Sequence, residues 1–308
     1  MKIKNIDFGN NLFIAPMAGV SDIGFREQCC IFGADASVSE MLSARAMMHN
    51  PKKTKLMTIV SPLEKIKIGQ IFGHESDVMA KAVENPLLAH YDVIDINMGC
   101  PAPKILKNGE GASLMDKPSL AGEIVSACVN ATDRPVSVKF RLGFHSKNFV
   151  DFGRMCEESG ASFVTLHART VEQGYSGKAD YEAIAKLKSV LTIPLIGNGD
   201  VVDRQSYQQM LKTGVDGVMV GRGAQGKPWI FAQLLGKDTS SVNKFEVIKA
   251  HVETLRKYYD EDWLTLYMRK HFLWYTLGEV GGSAIRLELA TSPSIDQSLA
   301  VLKKFFEE

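Results

Sequence analysis

Five cysteines occur in the 308 residues, and Cys29, Cys30, Cys128 and Cys156 fall in helix-spaced stretches where a thiol packs as a small apolar group. Cys100 is different. It stands in Asn97-Met98-Gly99-Cys100-Pro101, directly after an apolar run, bracketed by glycine and proline. An ordinary thiol, with a pKa near about 8.5, is mostly protonated at neutral pH, so such a cysteine suits a general acid as well as a nucleophile. A thiol simply held in its turn has the same surroundings.

Lys139 lies in Val136-Ser137-Val138-Lys139-Phe140, where alternation turns its side chain to the face opposite Val138 and Phe140. An ammonium directed into an apolar interior is costly unless an anion or an electron-rich ligand meets it. A flavin is one such ligand, since a cation favours its anionic reduced ring; a salt bridge to Glu40 or Asp95 answers the same need. His167 closes another apolar run, in Leu166-His167-Ala168-Arg169, and its imidazole suits either donation to a ligand or a structural hydrogen bond. Gly197-Asn198-Gly199-Asp200 and Gly221-Arg222-Gly223 offer close backbone approach and one positive charge. That is the chemistry of a phosphate cradle, although ordinary turns use the same residues. The remaining histidines (His49, His74, His90, His145, His251 and His271) show no pairing with acids that reads as a metal site, and no metal is expected.

These residues recur at one kind of place. Short β-branched runs begin at Leu12, Ala36, Ile66, Val93, Val136, Phe163, Pro194 and Gly217, and helix-period stretches lie between them, as at 76–90, 119–131, 149–159, 181–190 and 204–213. Alternation on this spacing implies right-handed crossovers and a parallel sheet. Eight such units predict a closed (β/α)8 TIM barrel rather than an open doubly wound sheet. A barrel collects chemistry at the C-terminal ends of its strands. Those ends carry Pro16-Met17-Ala18, Glu40, Gln70, Asn97 with Cys100, Lys139 with Arg141, His167 with Arg169, Asn198-Gly199-Asp200, and Gly221-Arg222. Every one finishes in a polar or glycine-rich group, which points to one shared site.

After Leu235 the pattern changes. A polar connector, 236–241, leads into helical periodicity alone, at 245–259, 263–278 and 298–306. The expected organisation is therefore a barrel domain over 1–241 and a small all-α domain over 242–308. Within the latter, Met268-Arg269-Lys270-His271-Phe272-Leu273-Trp274-Tyr275 sets three basic side chains beside aromatics. That mixture holds phosphates and stacks bases; an amphipathic helix with a solvated basic face and an aromatic core has the same composition.

Composition narrows the classes. Lys and Arg number 36 against 35 Asp and Glu, a net charge of +1, which argues against a broadly basic nucleic-acid binder. Residues 243–308 hold nine basic against ten acidic side chains, so any RNA surface there is a local stripe. No apolar stretch suits a membrane span, no apolar leader is visible, and the odd number of cysteines suggests free thiols; a cytoplasmic protein with no obligate protein partner is expected.

The ordered set of motifs resembles the tRNA-dihydrouridine synthases, most closely the bacterial B-type group, from the first strand to the end. The resemblance rests on Pro16-Met17-Ala18-Gly19-Val20-Ser21-Asp22 with Phe25-Arg26, on Ser39-Glu40-Met41, on Gly69-Gln70-Ile71-Phe72-Gly73, and above all on Asp95-Ile96-Asn97-Met98-Gly99-Cys100-Pro101. Val138-Lys139-Phe140-Arg141, His167-Ala168-Arg169-Thr170, Tyr175-Ser176-Gly177, Asn198-Gly199-Asp200 and Gly221-Arg222-Gly223 continue it.

The resemblance implies FMN across the barrel mouth, with its phosphate at Asn198, Gly199, Asp200, Gly221 and Arg222. Pro16, Met17 and Ala18 would pack under the ring, Gln70 would meet its pyrimidine edge, and Lys139 and His167 would contact it. It further implies NADPH (or NADH) as reductant and a uridine of tRNA flipped into the pocket. Hydride would pass to C6 and a proton from Cys100 to C5, giving 5,6-dihydrouridine. Asn97 and Arg141 are the expected base contacts, and Arg269, Lys270, His271 and Arg286 the expected tRNA contacts. Two residues depart from the pattern: Tyr181 replaces a usual Trp, and Leu277 stands where a lysine often precedes the glycine. An FMN barrel acting on a free pyrimidine and a non-catalytic RNA-binding protein are the alternatives.

Overall fold

The computed structural model describes residues 1–49 and 52–307. Eight parallel strands form the barrel: β1 (Leu12–Ile14), β2 (Ala36–Val38), β3 (Ile66–Phe72), β4 (Val93–Met98), β5 (Val136–Arg141), β6 (Phe163–His167), β7 (Leu195–Asn198) and β8 (Gly217–Val220). Each pairs in parallel with its sequence neighbour, and β8 pairs with β1, Met219 opposite Phe13, so the sheet closes. The expected barrel is present, with all eight strands within a few residues of their sequence positions. The short strand Leu42–Ser43 extends the sheet beside the end of β3.

Two apolar layers follow from the strand alternation. Outward residues such as Ile94, Ile96, Val138 and Phe140 pack under the helices. Inward residues such as Phe13, Val38, Ile68, Phe163, Ile196 and Met219 fill the barrel. An N-terminal hairpin, Lys2–Ile3 with Ile6–Asp7, was not legible from its short, polar sequence. It delivers Phe8 to the barrel floor, stacked on Phe13 at 5.4 Å and edge-on to Phe163 at 5.9 Å. The 76–90 stretch is not one helix: Ser76–Val83 ends, and a single turn, Pro86–Leu88, follows, because Pro86 lacks the N–H that continuation needs.

The barrel's first helix, α1 (Ile23–Ile31), is N-capped by Asp22, which accepts from the Phe25 N–H. Beyond the barrel lie α2 (Lys244–Arg256), α3 (Glu261–Tyr275), α4 (Gly282–Thr291) and α5 (Ile295–Glu307). These helices have a core of their own, including Ile248, Val252, Leu264, Phe272 and Leu302, and Ile23 and Trp229 of the barrel join it. Helix α4 is an addition to the three expected. It follows Gly278 and Gly281, opens on Gly282 and carries exposed Leu287 between Arg286 and Glu288, which masks the helical period. Among the described residues no helix is long and apolar enough to cross a membrane.

Candidate active site

The C-terminal ends of the strands enclose a cavity of about 720 Å³. Pro16, Met17, Ala18, Gln70, Asn97, Cys100, Lys139, Arg141, His167, Asn198, Gly199, Asp200, Gly221 and Arg222 all line it. The barrel thus brings together every residue expected to meet cofactor, proton transfer or base.

Cys100 is half-buried, whereas the other four cysteines are buried. Its loop is gripped from two sides. The Asn97 side-chain oxygen accepts from the N–H groups of Gly99 (3.2 Å) and Cys100 (2.9 Å), and the Arg141 Nε donates to the Gly99 carbonyl at 2.8 Å. Gly99 packs close to β5: a Cβ there would lie 3.2 Å from the Phe140 backbone, a tight contact. Arg141 also donates to the carbonyls of Thr170 (3.1 Å) and Gly174 (2.8 Å), so its guanidinium ties the Cys100 loop to the loop after β6.

Lys139 stands opposite Asn97 across the β4–β5 pair and faces the cavity. Burial and the neighbouring Arg141 push its pKa down to about 8, with Asp95 and Cys100 acting the other way. The two carboxylates considered as its partners are otherwise engaged. Glu40 accepts from the Gly19 N–H, and Asp95 accepts from Gln70 (2.7 Å) and Ser137 (2.6 Å).

His167 is held neutral: burial lowers its pKa far below the usual value, and Lys139, Arg141, Arg169 and Arg222 add to the effect. Asp200 occupies the phosphate-cradle position, where a free carboxylate would repel a phosphate. It is instead gripped by the Arg169 Nη2, 2.7 Å from both oxygens, and approached by Arg222 at 3.3 Å. Burial raises its pKa, but Arg169 and the Ala179 N–H outweigh that and hold it below the ordinary value. Asp200 therefore orients Arg222 and neutralises Arg169. Asn198 donates to the Met219 carbonyl at 2.8 Å, fixing β7 to β8 at the cavity wall.

Tyr175 lines the cavity and was missed as a functional candidate. Its exposed ring lies between two cations, 5.5 Å from the Arg141 Cζ and 5.1 Å from the Arg222 Cζ. The signal was an aromatic residue in a turn flanked by glycines, Gly174-Tyr175-Ser176-Gly177. Tyr181, where a Trp was expected, donates its hydroxyl to the Gly199 carbonyl at 2.9 Å and supports the cradle from behind.

The basic trio on α3 does not present all three side chains to solvent, and the expected RNA contact of His271 is corrected. Lys270 reaches back toward the barrel rim, its Nζ 3.7 Å from the Tyr267 ring centroid and 3.1 Å from where a Cβ on Gly19 would stand. Arg269 is half-buried and donates to the Ser292 carbonyl at 2.9 Å. His271 is only 1% exposed, so it cannot touch RNA. Arg286 is half-buried as well and lies 3.4 Å from the Thr276 carbonyl. A second correction concerns the histidines. His251 and His271 do meet an acid, their ring nitrogens 3.0 and 3.2 Å from the carboxylate of Asp22. The long sequence separation hid this cluster. His251 also joins the Tyr275 hydroxyl at 3.1 Å, and Tyr267 donates to Asp22, which marks a hydrogen-bonded bridge between α1 and the C-terminal helices.

A family model described as "Dihydrouridine synthase (Dus)" matches residues 13–308. The chain belongs to the dihydrouridine synthase family. It is 39% identical over 322 residues to a "Probable tRNA-dihydrouridine synthase" of Mycobacterium tuberculosis, spanning 96% of this chain and 82% of that protein. It is 36% identical over 318 residues to "tRNA-dihydrouridine synthase B" of Vibrio parahaemolyticus, spanning 100% of this chain and 99% of the relative. Among solved structures, a variant of NCR from Zymomonas mobilis superposes with a TM-score of 0.53 at 16% identity, covering 74% of this chain and 87% of that one, and supports the fold alone.

Proposed function

We propose that the protein is an FMN-dependent tRNA-dihydrouridine synthase that reduces the C5–C6 double bond of uridines in tRNA, with NADPH (or NADH) as the source of electrons. The observation that carries this reading is the meeting of Cys100, on the loop after β4, and Lys139, on β5 opposite Asn97, at one cavity: a protonatable thiol and an ammonium address the same ligand space.

The residues fit the cofactor chemically. Gly199, at φ +134°, gives the cradle a backbone shape closed to side chains, and a Cβ there would lie 2.7 Å from that of Ala179. Arg222 and the N-terminus of the turn Arg222–Ala224 supply positive charge for a phosphate. Lys139 and neutral His167 would face the ring, and Pro16 to Ala18 would form its bed. When bound, the flavin supplies the hydride that enters C6 of the uracil.

The chain's own part is positioning and proton transfer. Cys100, fixed by Asn97 and Arg141 through its loop, donates its proton to C5, which completes addition of one hydride and one proton across the double bond. Tyr175 and the two guanidiniums beside it form the rim where an extruded nucleotide enters. Residues 1–241 act as the catalytic domain and 242–308 as the RNA-holding domain, with Lys270 the foremost contact because it faces the same rim.

The test is incubation of purified, flavin-loaded protein with NADPH and either unmodified tRNA or free uracil and orotate. Dihydrouridine forms in the tRNA. Turnover of the free base alone would overturn the reading in favour of a small-molecule pyrimidine reductase.

A further inference from the structure

Asp95 is nearly sealed from water at 4% exposure, lies two residues before Asn97 on the same face of β4, and makes no hydrogen bond to Cys100. Its carboxylate nevertheless begins a chain that ends there. Its Oδ2 accepts from the Gln70 Nε2 at 2.7 Å, the Gln70 Oε1 accepts from the Asn97 Nδ2 at 2.8 Å, and the Asn97 Oδ1 accepts from the Cys100 N–H at 2.9 Å.

An amide side chain can present either end, so a row of two amides has two possible senses. A carboxylate can only accept and a peptide N–H can only donate. With Asp95 at one end and the Cys100 N–H at the other, both amides are forced into one orientation. Gln70 then keeps one N–H free and lines the cavity, while the second Asn97 N–H is directed at the Met41 sulfur at 3.9 Å. We infer that Asp95 is a positioning residue: it sets the sense of the Gln70–Asn97 amide chain, and so holds the Cys100 loop and leaves one Gln70 N–H for a carbonyl-bearing ligand of the cavity. Ser137, donating to the other Asp95 oxygen at 2.6 Å, keeps the carboxylate in register. Burial pushes the Asp95 pKa up to about 6, while Gln70, Ser137 and Lys139 counter it, so the group is a carboxylate at neutral pH.

The inference rests on the proposed reaction for its catalytic consequence, but not for its structural one. In flavin-free, full-length protein, Asp95→Leu should speed amide hydrogen exchange at Gly99 and Cys100 by about tenfold, the worth of one ordinary hydrogen bond. In the loaded enzyme, kcat for tRNA should fall by about tenfold to a hundredfold, with KM for tRNA within about twofold, because a misplaced acid harms the chemical step more than binding. Gln70→Met cuts the chain one link later and carries the same test if Asp95→Leu fails to fold. Combined in one protein, the two substitutions should accelerate exchange no more than either alone. Unchanged exchange at Gly99 and Cys100, or accelerations that add in the double variant, would overturn the inference. A wild-type protein that makes no dihydrouridine would overturn the proposed function and leave the exchange result standing.

Discussion

The His271 Nε2 and the Asp22 Oδ2 lie 3.2 Å apart, with side-chain exposures of 1% and 3%, and this contact joins the C-terminal helices to the first turn of the barrel's first helix. Its geometry falls short of a good hydrogen bond, and neither His271 nitrogen finds another partner. Burial therefore dominates: it pushes the His271 pKa down to about 4, even though the Asp22 carboxylate pulls upward. For Asp22 itself burial raises the pKa, but His251 and His271 outweigh it and hold the group well below the ordinary carboxylate value.

The first prediction concerns pH. A histidine that is neutral when folded and has a pKa near about 6.5 when unfolded takes up a proton on unfolding, so stability is full above about pH 6.5 and declines as pH falls toward 4. The contribution of His271 is at most about 3 kcal/mol across that window. Denaturant melts between pH 4.5 and 7.5 should show wild type losing stability more steeply than His271→Gln. Parallel pH curves would exclude His271 as the source. His167, depressed in the same direction, adds slope to both proteins and cancels in the comparison.

A second prediction isolates the acid. Cys100→Ala should retain FMN and tRNA binding, and lose product formation by about 10²- to 10⁴-fold. The loop is held through the backbone of Gly99 and Cys100, so removing the thiol leaves its shape intact. Rapid product formation in this variant, measured as dihydrouridine by mass spectrometry, would assign the proton to another donor.

Asp200 and Arg169 give a third. Asp200→Asn removes the charge opposite a buried guanidinium and should lower stability by roughly 1–3 kcal/mol. It should also weaken FMN binding, because Arg222 loses the carboxylate that orients it. Fluorescence titration of FMN into the stripped protein separates the two effects; unaltered affinity would leave Asp200 with a purely structural duty.

The neighbouring basic residues on α3 should behave oppositely. Lys270→Ala should weaken tRNA binding and reduce its salt slope by about one, while NADPH-driven flavin reduction is unchanged. Arg269→Ala should chiefly lower stability, since its guanidinium ties α3 to the Ser292 carbonyl. Filter binding at several salt concentrations, beside thermal melts, distinguishes the two.

What was readable in the sequence follows the range of the forces involved. Each barrel strand carries a local period and ends in polar or glycine residues, so Gln70, Cys100, Lys139 and His167 could be assigned to one mouth before any coordinate was known. Directions set by distant packing were not readable. Arg269, Lys270 and His271 are consecutive and basic, yet successive helical residues point about 100° apart, and the barrel claims one face. Asp22 meets His251 and His271 across more than 200 residues, a separation at which no spacing rule operates. Asp200 looked like a phosphate-cradle residue, and only the placement of Arg169 reveals that its charge is already spoken for.

The aromatic floor made by Phe8, Phe13 and Phe163 fills the barrel on the side away from the strand ends, where the cavity lies. Under the proposed function, a nicotinamide donor and a folded RNA would both approach from the strand ends. Sharing that mouth would make turnover a shuttle with two visits, the donor leaving before the nucleotide enters. A barrel bottom packed by the residue that follows an N-terminal hairpin would in this way bear on the order of events at the opposite end.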